Sequence, residues 1–261
     1  MSKKLGIKIE DIVDLYNQGQ TPIQIAEKYG CCIANICRRL KKAGIKVIRD
    51  YSKARHIRTG RYQIDLDFFK QIDTEEKAYF LGVMYSDGSV SKDQFYLKLK
   101  DEDVIRKFKE ALKCENPIKH NEIPYYNYIL QISCHEMCQD LINWGCTINK
   151  TRTITFPNID KSLYRHFIRG FFDGDGCIRV GVTKSKCLFD IVSASRTFLL
   201  QLKEILSPIA SHIGISKEKS YDIWHLRCGG KQVQQILDWL YKDSTVYMQR
   251  KYFKYQLISS L

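Results

Sequence analysis

The stretch RHFIRGFFDGDGCIRV, residues 165–180, decides the fold of this chain. Apolar residues at helical spacing lead up to Asp175, and alternating apolar and polar residues follow it. This pattern predicts a helix that passes directly into a strand. A looser copy, AYFLGVMYSDGSV at residues 78–90, places Asp87 at the same point. Asp87 and Asp175 are 88 positions apart, which indicates one structural unit present twice.

Each copy opens the same series of segments: a helix, two strands, a helix, two strands and a final helix. In the first unit, QFYLKLK at residues 94–100 alternates strictly and predicts a half-buried strand with a basic exposed face. In the second unit, the alternation runs from Ile178 to Thr183 and predicts a strand of that length. We therefore predict an α+β fold with one repeat over residues 65–158 and a second over residues 159–261.

Two glycines inside the motif helices suggest how the repeats pack. Gly82 and Gly170 each lie five residues before the motif aspartate. A glycine in a helix costs about 0.5–1 kcal/mol relative to alanine, and close approach of two backbones is one reason to keep it. If the motif helices pack on each other at these glycines, their C-terminal ends lie side by side and Asp87 meets Asp175.

A pair of carboxylates at that point needs a counter-charge. Two carboxylates at helix C-termini repel each other and oppose the helix dipoles, so a cation between them is expected. Hard divalent cations take oxygen ligands, which favours Mg²⁺ held by Asp87 and Asp175, where it could activate water for attack on a phosphodiester. A single Asp-Gly would be read as an ordinary turn or helix cap, but two copies in matching contexts favour the metal site.

The composition narrows the class of protein. With 42 Lys and Arg against 29 acidic residues the net charge is +13, which fits a nucleic-acid partner or simply a basic protein. Ten cysteines without a C-x-x-C pair, no signal peptide and no membrane-length apolar run predict a reduced, intracellular protein that is neither secreted nor in a membrane. A zinc site at Cys134, His135 and Cys138 is disfavoured because no second matching half accompanies it.

The first 48 residues have a different pattern from the rest. Residues 8–45 predict three short helices, the second capped by Thr21 and the third running from Cys31 to Ala43 with Ile33 facing inward. The stretch QTPIQIAEKYGCCIANICRRLKKAGI resembles the helix-turn-helix of resolvase-like DNA-binding domains, so we assign residues 1–48 to such a domain. The alternative is a small helical bundle whose basic face is only solvated. The predicted DNA contacts on the third helix are Asn35, Arg38 and Arg39.

A basic stretch at residues 49–64 has little apolar periodicity and is predicted to be a linker. Between two DNA-binding units such a linker would follow phosphates or a minor groove, although it could equally be a merely soluble connection. The linker residues predicted to contact DNA are Arg55, Arg58 and Arg61.

The segments FLGVMYSDG and IRGFFDGDG resemble the two motifs of single-chain LAGLIDADG homing endonucleases, and the flanking sequence agrees over residues 65–261. The resemblance implies two pseudo-symmetric αββαββα repeats whose sheets form a saddle over the DNA major groove. It also implies a monomer that uses two or three shared divalent ions, Mg²⁺ in the first place, to cut both strands of a long double-stranded target during homing of a mobile element such as an intron. The expected products carry short 3′ overhangs. Tyr85 and Ser86 depart from the Asp173 and Gly174 of the second motif but leave the essential acid in place.

The resemblance also implies roles for individual residues. Asp87 and Asp175 occupy the metal-binding acid of each motif. Lys150 and Lys251 fall where a lysine after the last helix of each repeat approaches the site, either to stabilise charge or polarise water, or only to position a phosphate. Polar residues on the sheets would contact DNA. These candidates are Tyr96, Lys98, Lys100, Tyr125, Asn127, Gln131, Arg179, Thr183, His225 and Arg227.

Two other functions fit the same scaffold. A non-cleaving DNA-binding regulator is disfavoured, because such regulators typically lack the acids and here Asp87 and Asp175 are both present. An RNA maturase activity, which would assist splicing of a host intron, stays open as an alternative or an addition.

Overall fold

The structure is a computed structural model that describes residues 8–45, 62–122, 126–147 and 152–261. The chain divides into two compact units, Met1–His56 and Ile57–Leu261. Within the described ranges, the structure has no helix with the length and apolar character needed to cross a membrane.

The smaller unit contains three helices, α1 (Ile9–Asn17), α2 (Pro22–Lys28) and α3 (Ile33–Lys42). Thr21 and Gln24 form a capping box at the start of α2, because the side chain of each accepts the backbone N–H of the other. The three helices pack around a small apolar core formed by Ile12, Ile25, Ala26, Ile36 and Leu40.

One prediction for this unit is wrong. Ile33 is 40% exposed instead of facing inward. It is the first residue of α3, directly after the N-cap Cys32, so it lies at the end of the helix rather than on the face that the neighbouring helices cover.

The larger unit repeats one arrangement of helices and strands, as the sequence predicted, and adds a helix at its end. The elements of the first repeat are α4 (Glu75–Ser86), β1 (Gly88–Val90), β2 (Phe95–Leu99), α5 (Glu102–Ala111), β3 (Ile118–Asn121), β4 (Asn127–Ile132) and α6 (His135–Asn143). Those of the second are α7 (Tyr164–Asp175), β5 (Gly176–Arg179), β6 (Leu188–Ser193), α8 (Arg196–Leu206), β7 (Gly214–Lys217), β8 (Trp224–Gly229) and α9 (Gln232–Tyr241). The added helix, which the sequence pattern did not predict, is α10 (Gln249–Ser259).

Each repeat forms a four-stranded antiparallel sheet with the same strand order, β1-β2-β4-β3 in the first and β5-β6-β8-β7 in the second. Helices pack on one face of each sheet: α5 contacts β2 and β4, and α8 contacts β6, β7 and β8. The opposite face of each sheet, here called the outer face, carries the polar residues of the alternating strands. A single apolar core runs through both repeats.

The strand predicted to reach Thr183 is shorter than expected. β5 ends at Arg179, and Thr183 is the N-cap of a short 3₁₀ turn at Lys184–Lys186. The chain turns tightly at Gly181, where a methyl group would lie 2.6 Å from atoms of Lys186. Thr183 therefore lies in the loop between β5 and β6 and not on the outer face of the sheet.

Candidate active site

The motif helices α4 and α7 pack with their backbones in contact. A methyl group on Gly82 would lie 2.1 Å from the Phe167 carbonyl oxygen, and one on Gly170 would lie 1.9 Å from the Tyr79 carbonyl oxygen. No side chain can stand between the helices at these two points. The glycines thus set the distance between the two repeats.

The same packing brings the C-terminal ends of α4 and α7 together. Asp87 is the C-cap of α4, and Asp175 is the last residue of α7. Gly174 lies against the other helix end, since a methyl group there would lie 2.1 Å from Asp87 Oδ2 and 1.9 Å from Ser86 Oγ. Asp87 is half-buried and Asp175 is exposed, so solvent or a substrate can reach the place where the ends meet.

Directly beneath this place, Asp173 connects four segments of the chain. Its side chain is fully buried and accepts hydrogen bonds from Tyr79 Oη (2.8 Å), Tyr241 Oη (2.5 Å) and Met248 N (2.7 Å). Burial raises the pKa of Asp173 above its ordinary value, although Lys251 and the three donors act in the opposite direction. Asp173 thereby ties α7 to α4, to α9 and to the segment that precedes α10.

A buried arginine on α7 binds the first residue of α4 and the chain around the end of α9. Arg169 has no exposed surface; it donates to the carbonyl oxygens of Leu240 (2.8 Å) and Val246 (2.9 Å) and to Glu75 Oε1 (2.6 Å). Burial alone would raise the pKa of Glu75, but the Thr245 N–H and the Arg169 guanidinium outweigh it and lower that pKa. Arg169 was not among the residues predicted from the sequence. The available signal was a charged residue beside Gly170, on the face that the helix packing buries.

Lys251, at the start of α10, lies beside the carboxylates. It is 2% exposed, and its Nζ donates to the carbonyl oxygens of Gly176 (2.6 Å) and Phe172 at the end of α7. Burial lowers the pKa of Lys251 to about 8, while the charges of Asp173, Asp87 and Asp175 favour the ammonium form. Residues of the first repeat bind the start of α10. Asp103 accepts a hydrogen bond from the Gln249 N–H (3.0 Å), and Asp101 forms an ion pair with Arg250 (2.9 Å).

The buried amine predicts a dependence of stability on pH. Because its pKa is depressed in the folded protein from 10.5 to about 8, the unfolded chain binds more protons between these values. The neutral Lys251 amine therefore makes its full contribution to the free energy of unfolding above pH 10.5, and this contribution is lost as the pH falls towards 8. We expect the free energy of unfolding of the wild type, relative to Lys251→Met, to rise by roughly 3 kcal/mol over this window. Urea unfolding of both proteins at each pH measures this; a constant difference would contradict the buried, shifted amine.

The other predicted contact residues lie in different parts of the molecule. Tyr96 and Lys98 are exposed on β2, Lys100 follows that strand, Arg179 ends β5 and Arg227 lies on β8. In the smaller unit Arg38 is exposed, and Arg39 Nε donates to Asn35 Oδ1 at 3.3 Å. Gln131 on β4 and His225 on β8 are partly exposed, whereas Asn127 on β4 is buried and has little surface to offer a ligand. Five candidates lie outside the described residues, namely Arg55, Arg58, Arg61, Tyr125 and Lys150.

The cysteines near His135 do not form a ligand set. Cys134 and Cys138 are buried in the core, and burial raises the pKa of both thiols, that of Cys138 to about 12. The His135 ring contacts the Lys92 carbonyl oxygen and Asp93 instead. Across residues 8–45, 62–122, 126–147 and 152–261, no group of three or more His, Cys, Asp or Glu side chains could hold a metal ion.

One half of this site lies in a segment that matches a known family model. The family model for the LAGLIDADG-like domain matches residues 162–240, which include α7 and Asp175. A curated relative is the uncharacterized protein MJ0314 of Methanocaldococcus jannaschii. It is 25% identical, and the alignment covers 71% of this chain and 87% of that protein.

Several solved structures align with this chain at low sequence identity and with TM-scores just below 0.5. The meganuclease I-SmaMI bound to uncleavable DNA gives a TM-score of 0.49 at 13% identity, covering 70% of this chain and 88% of that one. The I-LtrWI LAGLIDADG homing endonuclease bound to target DNA gives 0.47 at 14% identity, with 75% and 90% covered. Full-length DUF199/WhiA from Thermatoga maritima gives 0.48 at 15% identity, with 75% and 64% covered.

Proposed function

We propose that this chain, whose residues 162–240 are a LAGLIDADG-like domain, is a site-specific DNA endonuclease that hydrolyses one phosphodiester in each strand of a long duplex. The observation that carries the proposal is the meeting of Asp87 and Asp175 at the ends of two helices packed through Gly82 and Gly170. A non-cleaving DNA-binding protein needs the sheets of this fold but has no use for two carboxylates, one half-buried and one exposed, at the ends of the paired helices.

The donor atoms at this place suit a hard divalent cation. The side chains of Asp87 and Asp175 supply carboxylate oxygens, which Mg²⁺ prefers, and the contact of Gly174 with Asp87 leaves no room for a larger residue that would separate the helix ends. Bound there, Mg²⁺ would polarise the phosphodiester and lower the pKa of a water molecule. The two acids would hold the ions, shared between the repeats, and would orient the scissile phosphates towards the helix ends.

Lys251 has the position and charge to assist this reaction. Its amine is fixed by carbonyl oxygens at the end of α7 and is mostly an ammonium at pH 7, since its pKa is about 8. A cation beside the carboxylates would stabilise the negative charge that develops on phosphate oxygens during attack. In the net reaction, water oxygen bonds to phosphorus and the bond from phosphorus to the leaving oxygen breaks, with a proton passing to that oxygen. We propose Lys150 as the counterpart in the first repeat.

The two sheets would bind the duplex through their outer faces. These faces carry cationic side chains at Lys98, Lys119, Arg179 and Arg227, and they contain the strand positions from which side chains can reach base edges. We propose double-stranded DNA as the partner of a monomeric, intracellular protein, with the sheets supplying the specificity.

The proposal is tested by selection from a randomised duplex library. The purified protein is incubated with the library in Mg²⁺ or in Ca²⁺, and the cut ends and the bound fraction are sequenced. We expect one long motif to be cut in Mg²⁺ and bound in Ca²⁺. Enrichment of a bound motif that no divalent ion allows the protein to cut would overturn the nuclease proposal and favour a regulator.

The smaller unit is proposed to be a helix-turn-helix domain, residues 1–48, that adds affinity through Asn35, Arg38 and Arg39, followed by a basic linker at residues 49–64. We expect deletion of residues 1–48 to weaken DNA binding by about tenfold or more, since several phosphate contacts are lost, and to leave the cleavage rate of bound DNA within about threefold. Filter binding gives the first quantity, and single-turnover cleavage at saturating protein gives the second. Equal losses in both quantities would contradict the assignment.

A further inference from the structure

The two sheets share one hydrogen-bonding register, so each position on one outer face has a counterpart on the other. Gly88 pairs with Leu97 in the first sheet, and Gly176 pairs with Ile191 in the second. Counting from these pairs, the cross-strand pair Tyr96–Gln131 corresponds to Asp190–Arg227. Gln131 and Arg227 therefore hold equivalent places in the two repeats, on central strands β4 and β8.

Arg227 is held in a fixed orientation by a neighbour. Asp190 accepts from Arg227 Nε at 3.0 Å, and its own side chain is only 11% exposed, whereas that of Arg227 is 43% exposed. His225 contacts both of these residues, because its Nδ1 lies 3.0 Å from Asp190 Oδ1 and 2.8 Å from Arg227 Nη2. Asp190 takes Nε and His225 contacts Nη2, so Nη1 and the second hydrogen of Nη2 form the edge that is left for a ligand.

The space beside Arg227 is open. Its cross-strand partner on β7 is Gly214, where an added methyl group would meet nothing within 4 Å. Among the described residues, no side chain therefore fills the space above Gly214 next to the arginine. The acid beside it is also unusual, because Asp190 is the one carboxylate on strand positions of either outer face, all of which lie in the described ranges.

Gln131 is held at the equivalent place by different neighbours. Its Oε1 accepts from Lys119 Nζ at 3.1 Å, and its Nε2 donates to Gln94 Oε1 at 3.0 Å. Lys119 can only donate, which fixes the orientation of the amide. One Nε2 hydrogen and one Oε1 lone pair then remain as an adjacent donor and acceptor for a ligand.

These two groups match different bases. An arginine pairs with the O6 and N7 acceptors of guanine, and a glutamine pairs with the N6 donor and N7 acceptor of adenine in the major groove. We propose that Arg227, positioned by Asp190, reads a guanine in one half of the target and that Gln131, positioned by Lys119 and Gln94, reads an adenine at the equivalent position of the other half. The inference rests on the proposed function, and it makes the target non-palindromic at this pair of positions.

The test uses binding selection from a randomised duplex library in Ca²⁺, so that no cleavage is needed. For the wild type we expect a guanine and an adenine at equal distances from the centre of the site. Arg227→Gln should change the guanine to an adenine, and Gln131→Arg should make the reverse change in the other half, with a discrimination of about tenfold or more at each position. Because the two variants alter different sheets, one of them suffices if the other fails to fold.

Asp190→Ala separates positioning from simple charge pairing. If Asp190 orients Arg227, this variant loses discrimination at the guanine alone, while its affinity for random DNA stays equal or rises because a negative charge is gone. A uniform fall in affinity with unchanged base preference would show that Asp190 is only structural and would overturn its role.

Arg106→Gln serves as the matched control, since Arg106 is 64% exposed, pairs with Glu102 and lies on α5, which packs on the face of the sheet opposite the outer face. We expect its selected site to equal that of the wild type. If Arg227→Gln and Gln131→Arg also keep the wild-type site, the inference is wrong and the proposed function stands. If the wild type selects no site at all, both fail.

Discussion

Substitution of Asp175 or Asp87 by Asn lowers the single-turnover rate of DNA cleavage by about a thousandfold or more and leaves the affinity for the target within about fivefold. An amide is a poor ligand for a hard divalent cation, and several kcal/mol of transition-state stabilisation depend on that cation. Each factor of ten in rate corresponds to about 1.4 kcal/mol. Binding persists because the outer faces of the sheets, and not the helix ends, supply most contacts to DNA in the proposed complex.

The measurement uses the duplex found by library selection, with cleavage followed in Mg²⁺ and affinity in Ca²⁺. Asp243→Asn is a matched control: Asp243 is exposed and has a φ of 59°, a conformation that Asn tolerates as well as Asp. Cleavage by either active-site variant at the rate of this control would contradict a role for that carboxylate. A loss of rate that only follows a loss of binding would contradict it as well.

Substitution of Gly170 by Ala lowers the free energy of unfolding by about 3 kcal/mol or more, a large effect for one methyl group. The added methyl would lie 1.9 Å from the Tyr79 carbonyl oxygen and 2.8 Å from its carbonyl carbon, so α4 and α7 must separate. Both neighbours are backbone atoms of a helix and cannot rotate away. Separation would also strain the hydrogen bond from Tyr79 to Asp173.

Gly214→Ala provides the control for this prediction. Gly214 also lies in regular secondary structure, but an added methyl group there meets nothing within 4 Å, so its stability should change by no more than about 0.5 kcal/mol. Thermal or urea unfolding of the two variants compares them directly. A change below about 1 kcal/mol for Gly170→Ala would mean that the motif helices do not pack as closely as the structure has them.

The periodic parts of the fold could be predicted from sequence alone. The helix periodicity before Asp87 and Asp175 and the alternation after them are local signals, and their repetition at a fixed distance indicated two equal units. Glycine in a helix pointed to the backbone contact, because little else explains it. These signals indicate the α+β class and the repeated series of helices and strands, whereas the two sheets were expected only from the family resemblance.

The hydrogen-bond network of Asp173 and Arg169 beneath the site has no local, periodic pattern in the sequence. Asp173 and Arg169 bind partners between 68 and 94 positions away in the chain, and pairing at that distance has no period that a single sequence reveals. The end of β5 was missed for a related reason. The alternation of residues continues to Thr183, but the contact of Gly181 with Lys186 turns the chain earlier.

The central proposal is that one protein molecule cuts both strands of a duplex, using divalent ions held by two carboxylates, one from each repeat. Its most direct test is single-turnover cleavage of the selected duplex, labelled separately on each strand, with protein in excess and Mg²⁺ or Ca²⁺ present. The proposal predicts that both strands are cut in Mg²⁺ at comparable rates and that neither is cut in Ca²⁺. Tight binding of the duplex with both strands intact in Mg²⁺ would contradict it.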